Sequence, residues 1–243
     1  MALPTLNAPE HTLELPSTGD KVKYRPFLVK EQKILMLAQE GDSEEESVEA
    51  IKQIINNCCS LDEKAIENLP LFDIEYIFLQ LRSKSVGESV TLYFRHQECE
   101  NNDNQPSTKQ TEINVDLSKV KVTKDPKHTT KIQLTKDVGV IMKYPKIDLI
   151  NKYQETGLNA DTIFELIGNC IDKVYDSENS YNNSDYTPEE MENFISSMTE
   201  TQFQDIRNFF DTMPVLKHTV KFTCVDCGFK DNIELEGIQS FFI

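Results

Sequence analysis

The sequence predicts an α+β fold, with helical segments packed around a mostly antiparallel sheet and a split pair of knuckle hairpins. Three observations predict it. Apolar residues recur at helical spacing through 28–84 and again through 146–213. The period falls to two over 86–145 and over 217–243. Each period-two stretch holds a short pair of Cys or His residues with two residues between them, and with strand-like flanks. The expected division is an N-terminal hairpin and helical region over 1–85, a β region formed by 86–145 plus 217–243, and a helical region over 146–216, together one compact unit.

The elements follow from local pattern. Leu13 and Leu15, a Pro-Ser-Thr-Gly-Asp turn, then Val22 and Tyr24 make an edge hairpin. "LVKEQKILMLAQEG" reads as a helix with Ile34, Leu35, Leu37 and Ala38 apolar and Gly41 as its stop. "DSEEESVEAIKQIINNCC" puts acids in a first helical turn, where they suit the helix dipole, and predicts a buried stripe of Val48, Ile51, Ile55 and Cys58. In "LFDIEYIFLQLRSKS", Asp73 reads as an N-cap and Ile74, Ile77, Phe78 and Leu81 as one face.

Strands follow at "SVTLYFRH", at "TEINVDL" with Ile113, Val115 and Leu117 on one side, at Ile132/Leu134 and at Val138/Val140/Met142. A polar loop is expected over 97–110. "NADTIFELIGNCIDKVYD" has helical spacing through Ile163, Leu166, Ile167, Cys170, Ile171 and Val174. A turn-rich loop covers 177–186. Pro188 opens the next helix at its favoured first-turn position. Thr199 and Gln202 form a capping box for another, with Phe203, Ile206, Phe209 and Phe210 buried. The last 26 residues return to strand, turn, strand.

Composition limits the function. The 243 residues are 38% hydrophobic and 27% charged, enough for a sizeable core. A net charge of −16 argues against binding a nucleic-acid backbone or an anionic membrane, and suits contacts with other proteins. No apolar run approaches membrane-span length. "MALPTLNAPE" is not the pattern of a signal peptide. Six unevenly spaced cysteines do not resemble a secreted disulfide framework, so a reducing cytosol is expected.

The strongest chemical signal is "KFTCVDCGF", where Cys224 and Cys227 flank a tight turn. A Cys-x-x-Cys turn supplies half of a tetrahedral zinc site. "VTLYFRHQECE" repeats the arrangement with His96 and Cys99, and each pair is followed by another strand. Two such bends sharing one ion make a zinc-ribbon-like site, here split by about 124 residues of intervening chain. Three thiolates and one imidazole suit structural Zn2+, and Gly228 falls where a positive φ would ease the second turn. A redox pair or two free thiols are the other readings of Cys224 and Cys227, and a solvated histidine at a strand end is the other reading of His96. Cys58 and Cys170 lie on apolar helix faces and read as core, and Cys59 as inert.

Other chemistry is missing from the sequence. It has no glycine-rich phosphate loop, no G-x-S-x-G and no H-E-x-x-H. His11, His128 and His218 read as solvated residues at strand edges. No catalytic residue is assigned.

"LPSTGDKVKYRPFLVKEQKILMLAQE", "IQLTKDVGVIMKYP" and "FTCVDCG" followed by "IELEGIQSFF" together resemble the T-even-type phage baseplate hub family, the hub or hub-assembly proteins of contractile-tailed phages. The resemblance runs over nearly the whole chain. It is most specific at "YRPFLVKE" and at the C-x-x-C…L-x-G…FF ending. It implies a non-enzymatic role in the central hub beneath the tail tube, with other hub and tail proteins as partners. The implied location is the host cytoplasm during assembly, then the virion baseplate. Contact surfaces are expected at the N-terminal hairpin, at "RPFLVKE" and at "GIQSFFI", the last of which reads equally as a packed final strand. The alternative function is a zinc-ribbon nucleic-acid or transcription adaptor, for which 217–243 lacks a basic patch, having three Lys against four Asp/Glu. A thiol oxidoreductase is a third reading, without the βαβ context it needs.

Overall fold

The computed structural model describes residues 6–41, 44–96, 99, 109–149 and 159–241. Most of the polar loop expected over 97–110 lies outside the described residues, as do Phe242 and Ile243 of the apolar C-terminal end. The protein is α+β. Its chain forms two compact units, one from Met1–Ile66, Phe72–Thr123 and Val215–Ile243, the other from Glu67–Leu71 and Lys124–Pro214. The β region expected over 86–145 is thus shared between the units and divides after Thr123. No described helix is long and apolar enough to cross a membrane.

In the first unit, β1 (His11–Glu14) and β2 (Lys21–Tyr24) form the expected hairpin, with Leu13 opposite Val22. It is a two-stranded sheet of its own. Its turn is held from a distance. Asp73 lies in the first turn of the helix Leu71–Val86 and is not the N-cap. Its buried carboxylate accepts the backbone N–H of Ser17 at 3.1 Å and the Ser17 hydroxyl. Burial pushes this carboxyl above its usual range, and the Ser17 hydrogen bonds oppose the shift. A capping-type residue has been recruited here for a tertiary contact.

Helix α1 (Val29–Glu40) carries a buried charge of its own. Glu31 is fully buried and accepts from Arg25 Nη2 at 3.0 Å and from the Leu28 N–H at 2.8 Å. Burial alone would push its carboxyl up. The bonds from Arg25 and Leu28 reverse this and hold it below the usual carboxylate range. Helix α2 (Glu44–Cys58) buries Ile54 and Ile55 completely, with Ala50 and Cys58 beside them. Val48 and Ile51 are only half-buried, so the packed face is turned toward Ile54 relative to the expected stripe. A short α3 (Glu63–Asn68), not anticipated, precedes α4 (Leu71–Val86), which buries Ile74, Ile77, Phe78, Leu79 and Leu81.

The β part of this unit frames the site described below. β3 (Ser89–Phe94) pairs with β4 (Thr111–Asp116), setting Val90 opposite Val115 and Leu92 opposite Ile113. β5 (Lys121–Thr123) pairs with β10 (Val215–Thr223), which pairs in turn with β11 (Lys230–Glu236). All pairings are antiparallel. Leu79, Leu92, Val115, Leu117, Val120, Leu216, Val220, Leu235 and Phe241 form one core. Phe241 belongs to a final turn of 3-10 helix and is fully buried, so this part of "GIQSFFI" is packing and not a free surface.

In the second unit, β6 (Lys131–Gln133), β7 (Gly139–Met142), β8 (Ile171–Tyr175) and β9 (Ser180–Asn182) form an antiparallel sheet in that order. Helices α5 (Ala160–Cys170), α6 (Pro188–Ser196) and α7 (Glu200–Thr212) complete it. The helix expected through 176 stops at Cys170, and the next five residues form β8. The β-branched Ile171 and Val174 suit both periods, and pairing with β7 decides in favour of strand. The turn-rich stretch 177–186 includes β9. The capping box at Thr199 and Gln202 is present, and Pro188 sits in the first turn of α6. Ile206 and Phe209 are buried as expected, while Phe203 and Phe210 pack at the core margin.

His128 departs most from its sequence reading. It is a core residue, 8% exposed, between Phe209 and Tyr144. The Thr212 hydroxyl donates to the Asn208 carbonyl at 2.6 Å, so its oxygen accepts from His128 Nδ1 at 3.0 Å. That leaves Nε2 to accept from the Tyr144 hydroxyl at 3.0 Å. The ring is thereby satisfied as neutral imidazole. Burial lowers its pKa, helped by Lys124 and opposed by Asp125. With the folded pKa below the unfolded value of about 6.5, the unfolded chain takes up the proton first as pH falls. Stability is complete above that value and declines below it. Hydrogen-exchange protection of the β7 amides should therefore drop between about pH 7 and pH 5, and His128→Gln should remove the decline. A pH-independent protection in the native protein would contradict this assignment.

A candidate metal centre

The β3–β4 hairpin and the β10–β11 hairpin each end in a bend that carries ligand-type side chains. At the first, the Cys99 N–H donates to the His96 carbonyl at 3.2 Å. Residues 224–229 form the second. There Gly228 donates to the Cys224 carbonyl at 3.0 Å, and Cys224 to the Phe229 carbonyl at 2.8 Å. Gly228 has φ +72°, the left-handed conformation its position requires.

The two bends meet. His96, Cys99, Cys224 and Cys227 present one ligand atom each, and all four atoms lie within 4.8 Å of one another. Cys99 Sγ and Cys224 Sγ are 3.7 Å apart, and Cys227 Sγ and His96 Nδ1 are 3.4 Å apart. Four ligands at the corners of a tetrahedron around zinc would show S–S edges of about 3.8 Å and S–N edges of about 3.6 Å, given the usual zinc–ligand bond lengths. The side-chain cluster therefore has the size of a single-ion site, and all four residues anticipated from the sequence come together in it.

The surroundings act differently on the two buried sulfur atoms. Cys99 and Cys224 are buried with Phe222, flanked by Phe94, Ile113 and Ile233. The backbone N–H groups of Cys227 and Asp226 point at Cys224 Sγ and lower its pKa to about 7, against the opposing effect of burial. Burial, joined by hydrogen bonding with Cys227 and Cys224, pushes the Cys99 thiol up to about 12. Without a cation, ionising Cys99 beside Cys224 sets burial and like charge in conflict with the thiolate form. A divalent ion would remove that conflict, because it supplies the compensating charge at their common point.

Other side chains position the bends, and these were not legible in the sequence. Thr111, at the start of β4, accepts the Val225 N–H and donates to the Thr223 carbonyl, both at 3.3 Å. Lys109 Nζ lies 2.6 Å from Asp226. The Phe229 ring stacks on His96 with centroids 4.4 Å apart and planes within 3°. Of these only Phe229 had a local signal, its place directly after the Cys-x-x-Cys-Gly turn. Lys109 and Thr111 are more than a hundred residues from their partners.

The chain matches the family described as T4 bacteriophage base plate protein over residues 8–243, and it belongs to that family. No curated protein and no solved structure matches it.

The left-handed Gly228 gives a direct check on the second bend. A Cβ there would meet nothing within 4 Å, so a substitution acts through backbone strain alone. Gly228→Ala should destabilise the protein by roughly 1–2 kcal/mol in denaturant unfolding. An unchanged midpoint would show that the bend does not hold this conformation in solution.

Proposed function

We propose that the protein is a non-enzymatic component of the phage baseplate hub, built into or assisting assembly of the hub through contacts with other baseplate proteins, and that Zn2+ at His96, Cys99, Cys224 and Cys227 serves a structural role. The observation that carries this reading is membership of the baseplate family over residues 8–243. The ligand set supports the metal assignment, since three thiolates and an imidazole suit a borderline-soft tetrahedral ion. Four protein ligands fill such an ion's coordination shell and leave no position for a substrate. The protein acts in the host cytoplasm during assembly and thereafter at the tail baseplate.

The surface of the first unit suits such contacts. Val29 is 82% exposed, and Met36 and Leu37 are more than half exposed on the same stretch of α1. Val29 and Met36 are seven residues apart and share a face. Apolar side chains left in water together are a feature of interaction surfaces. Part of the expected "RPFLVKE" contact segment lies here, while its Phe27 and Glu31 are buried.

Co-expression with the other baseplate proteins of the same phage tests the reading. At least one hub protein should co-purify with the native chain, and Val29→Asp combined with Met36→Asp should weaken that association without unfolding the chain. Failure of every baseplate protein to co-purify would overturn it.

A further inference from the structure

The second unit contains a cleft that the metal centre does not involve. It lies between α5 and α6 and has a volume of about 440 Å³. The helices approach closely at Gly168, where a Cβ would sit 3.1 Å from Met191 Cγ. Phe164, Met191 and Ile195 give the cleft an apolar lining, and the last two are buried in the core. Glu165 and Glu192 contribute carboxylates to it, one from each helix, and both residues are exposed. No described residue lining it is basic.

Tyr186, one of the lining residues, carries an unsatisfied polar group. The Tyr186 hydroxyl is shielded from solvent and has no hydrogen-bond partner among the described residues. A buried hydroxyl left without a partner costs free energy. Asp172 and Asp185 lie near enough to act on it electrostatically. Acidic side chains outnumber basic ones across the second unit, 17 against 9 Lys and Arg. Residues 159–214 hold twelve acidic side chains against two basic ones, Lys173 and Arg207.

We propose that this cleft is a receptor site for an arginine side chain presented by a partner protein. Such a side chain needs an apolar bed for its methylene stem and acceptors around its head, and the cleft offers both. The planar guanidinium can also lie against the Phe164 or Tyr186 ring. The volume is at the lower end of the range for small ligand sites, large enough for one long side chain with adjoining backbone. A hydrated metal ion would gain nothing from the apolar lining. The site is independent of the zinc reading and of the exposed face of α1.

Titration of the full chain with N-acetyl-arginine methylamide, followed by amide NMR shifts, tests the proposal. The uncharged analogue N-acetyl-citrulline methylamide, of nearly the same shape, is the control. Shifts at Gly168, Tyr186 and Glu192 with the arginine probe, and much weaker ones with citrulline, are expected. Glu165→Gln combined with Glu192→Gln should weaken arginine binding by roughly fivefold, the scale of partly exposed charge contacts. Both residues are exposed, so the doubly substituted chain should keep its spectrum elsewhere. Absence of arginine-induced shifts in the cleft, or equal binding of the citrulline analogue, would overturn the proposal.

Discussion

The arrangement of the first unit rests on the meeting of two bends separated by about 124 residues of chain. Closing so long a segment is opposed by chain entropy, a cost that rises slowly with length. A covalent cross-link around a loop of about 100 residues is worth about 4.7 kcal/mol on the chain-entropy model. A metal bridge at the same point would act on the unfolded chain in the same sense. It would not act alone. β10 pairs with both β5 and β11, and the core around Leu117, Leu216 and Phe241 supports the same closure. The sheet and core bring the hairpins together, and the four ligand side chains meet at one point.

That division of labour explains why the bends are so closely specified. Thr111, Lys109 and the glycine at 228 fix where the sulfur atoms point, and Phe229 holds the imidazole flat. Hydrophobic packing cannot set such directions, because it is not directional. Hydrogen bonds and a left-handed glycine can. The cluster so produced is electrostatically awkward as bare thiolates and well suited to a cation.

Much of this was legible in the sequence, for identifiable reasons. The hairpin of β1 and β2, the capping box at Thr199 and the Cys-x-x-Cys-Gly turn are short-range patterns whose causes lie within a few residues. The partnership of His96 and Cys99 with Cys224 and Cys227 is long-range, yet it could be found because both knuckles carry the same strand-bend-strand flanks. Where a tertiary partner decided the outcome, the local pattern misled. Asp73 looked like a cap and instead holds the Ser17 turn. His128 looked like a solvated edge residue, and its partners Thr212 and Tyr144 lie 84 and 16 residues away. The stretch 171–175 had helical spacing and became a strand because β7 was available to pair with it.

Joining two hairpins at one ion is the claim on which the proposed structural role turns. Elemental analysis of the purified chain, combined with X-ray absorption at the metal edge, tests it most directly. The account predicts one zinc per chain with three sulfur neighbours and one nitrogen, and loss of the metal with much of the stability in Cys224→Ser. Metal-free native protein, or a zinc content that survives Cys224→Ser unchanged, would contradict it.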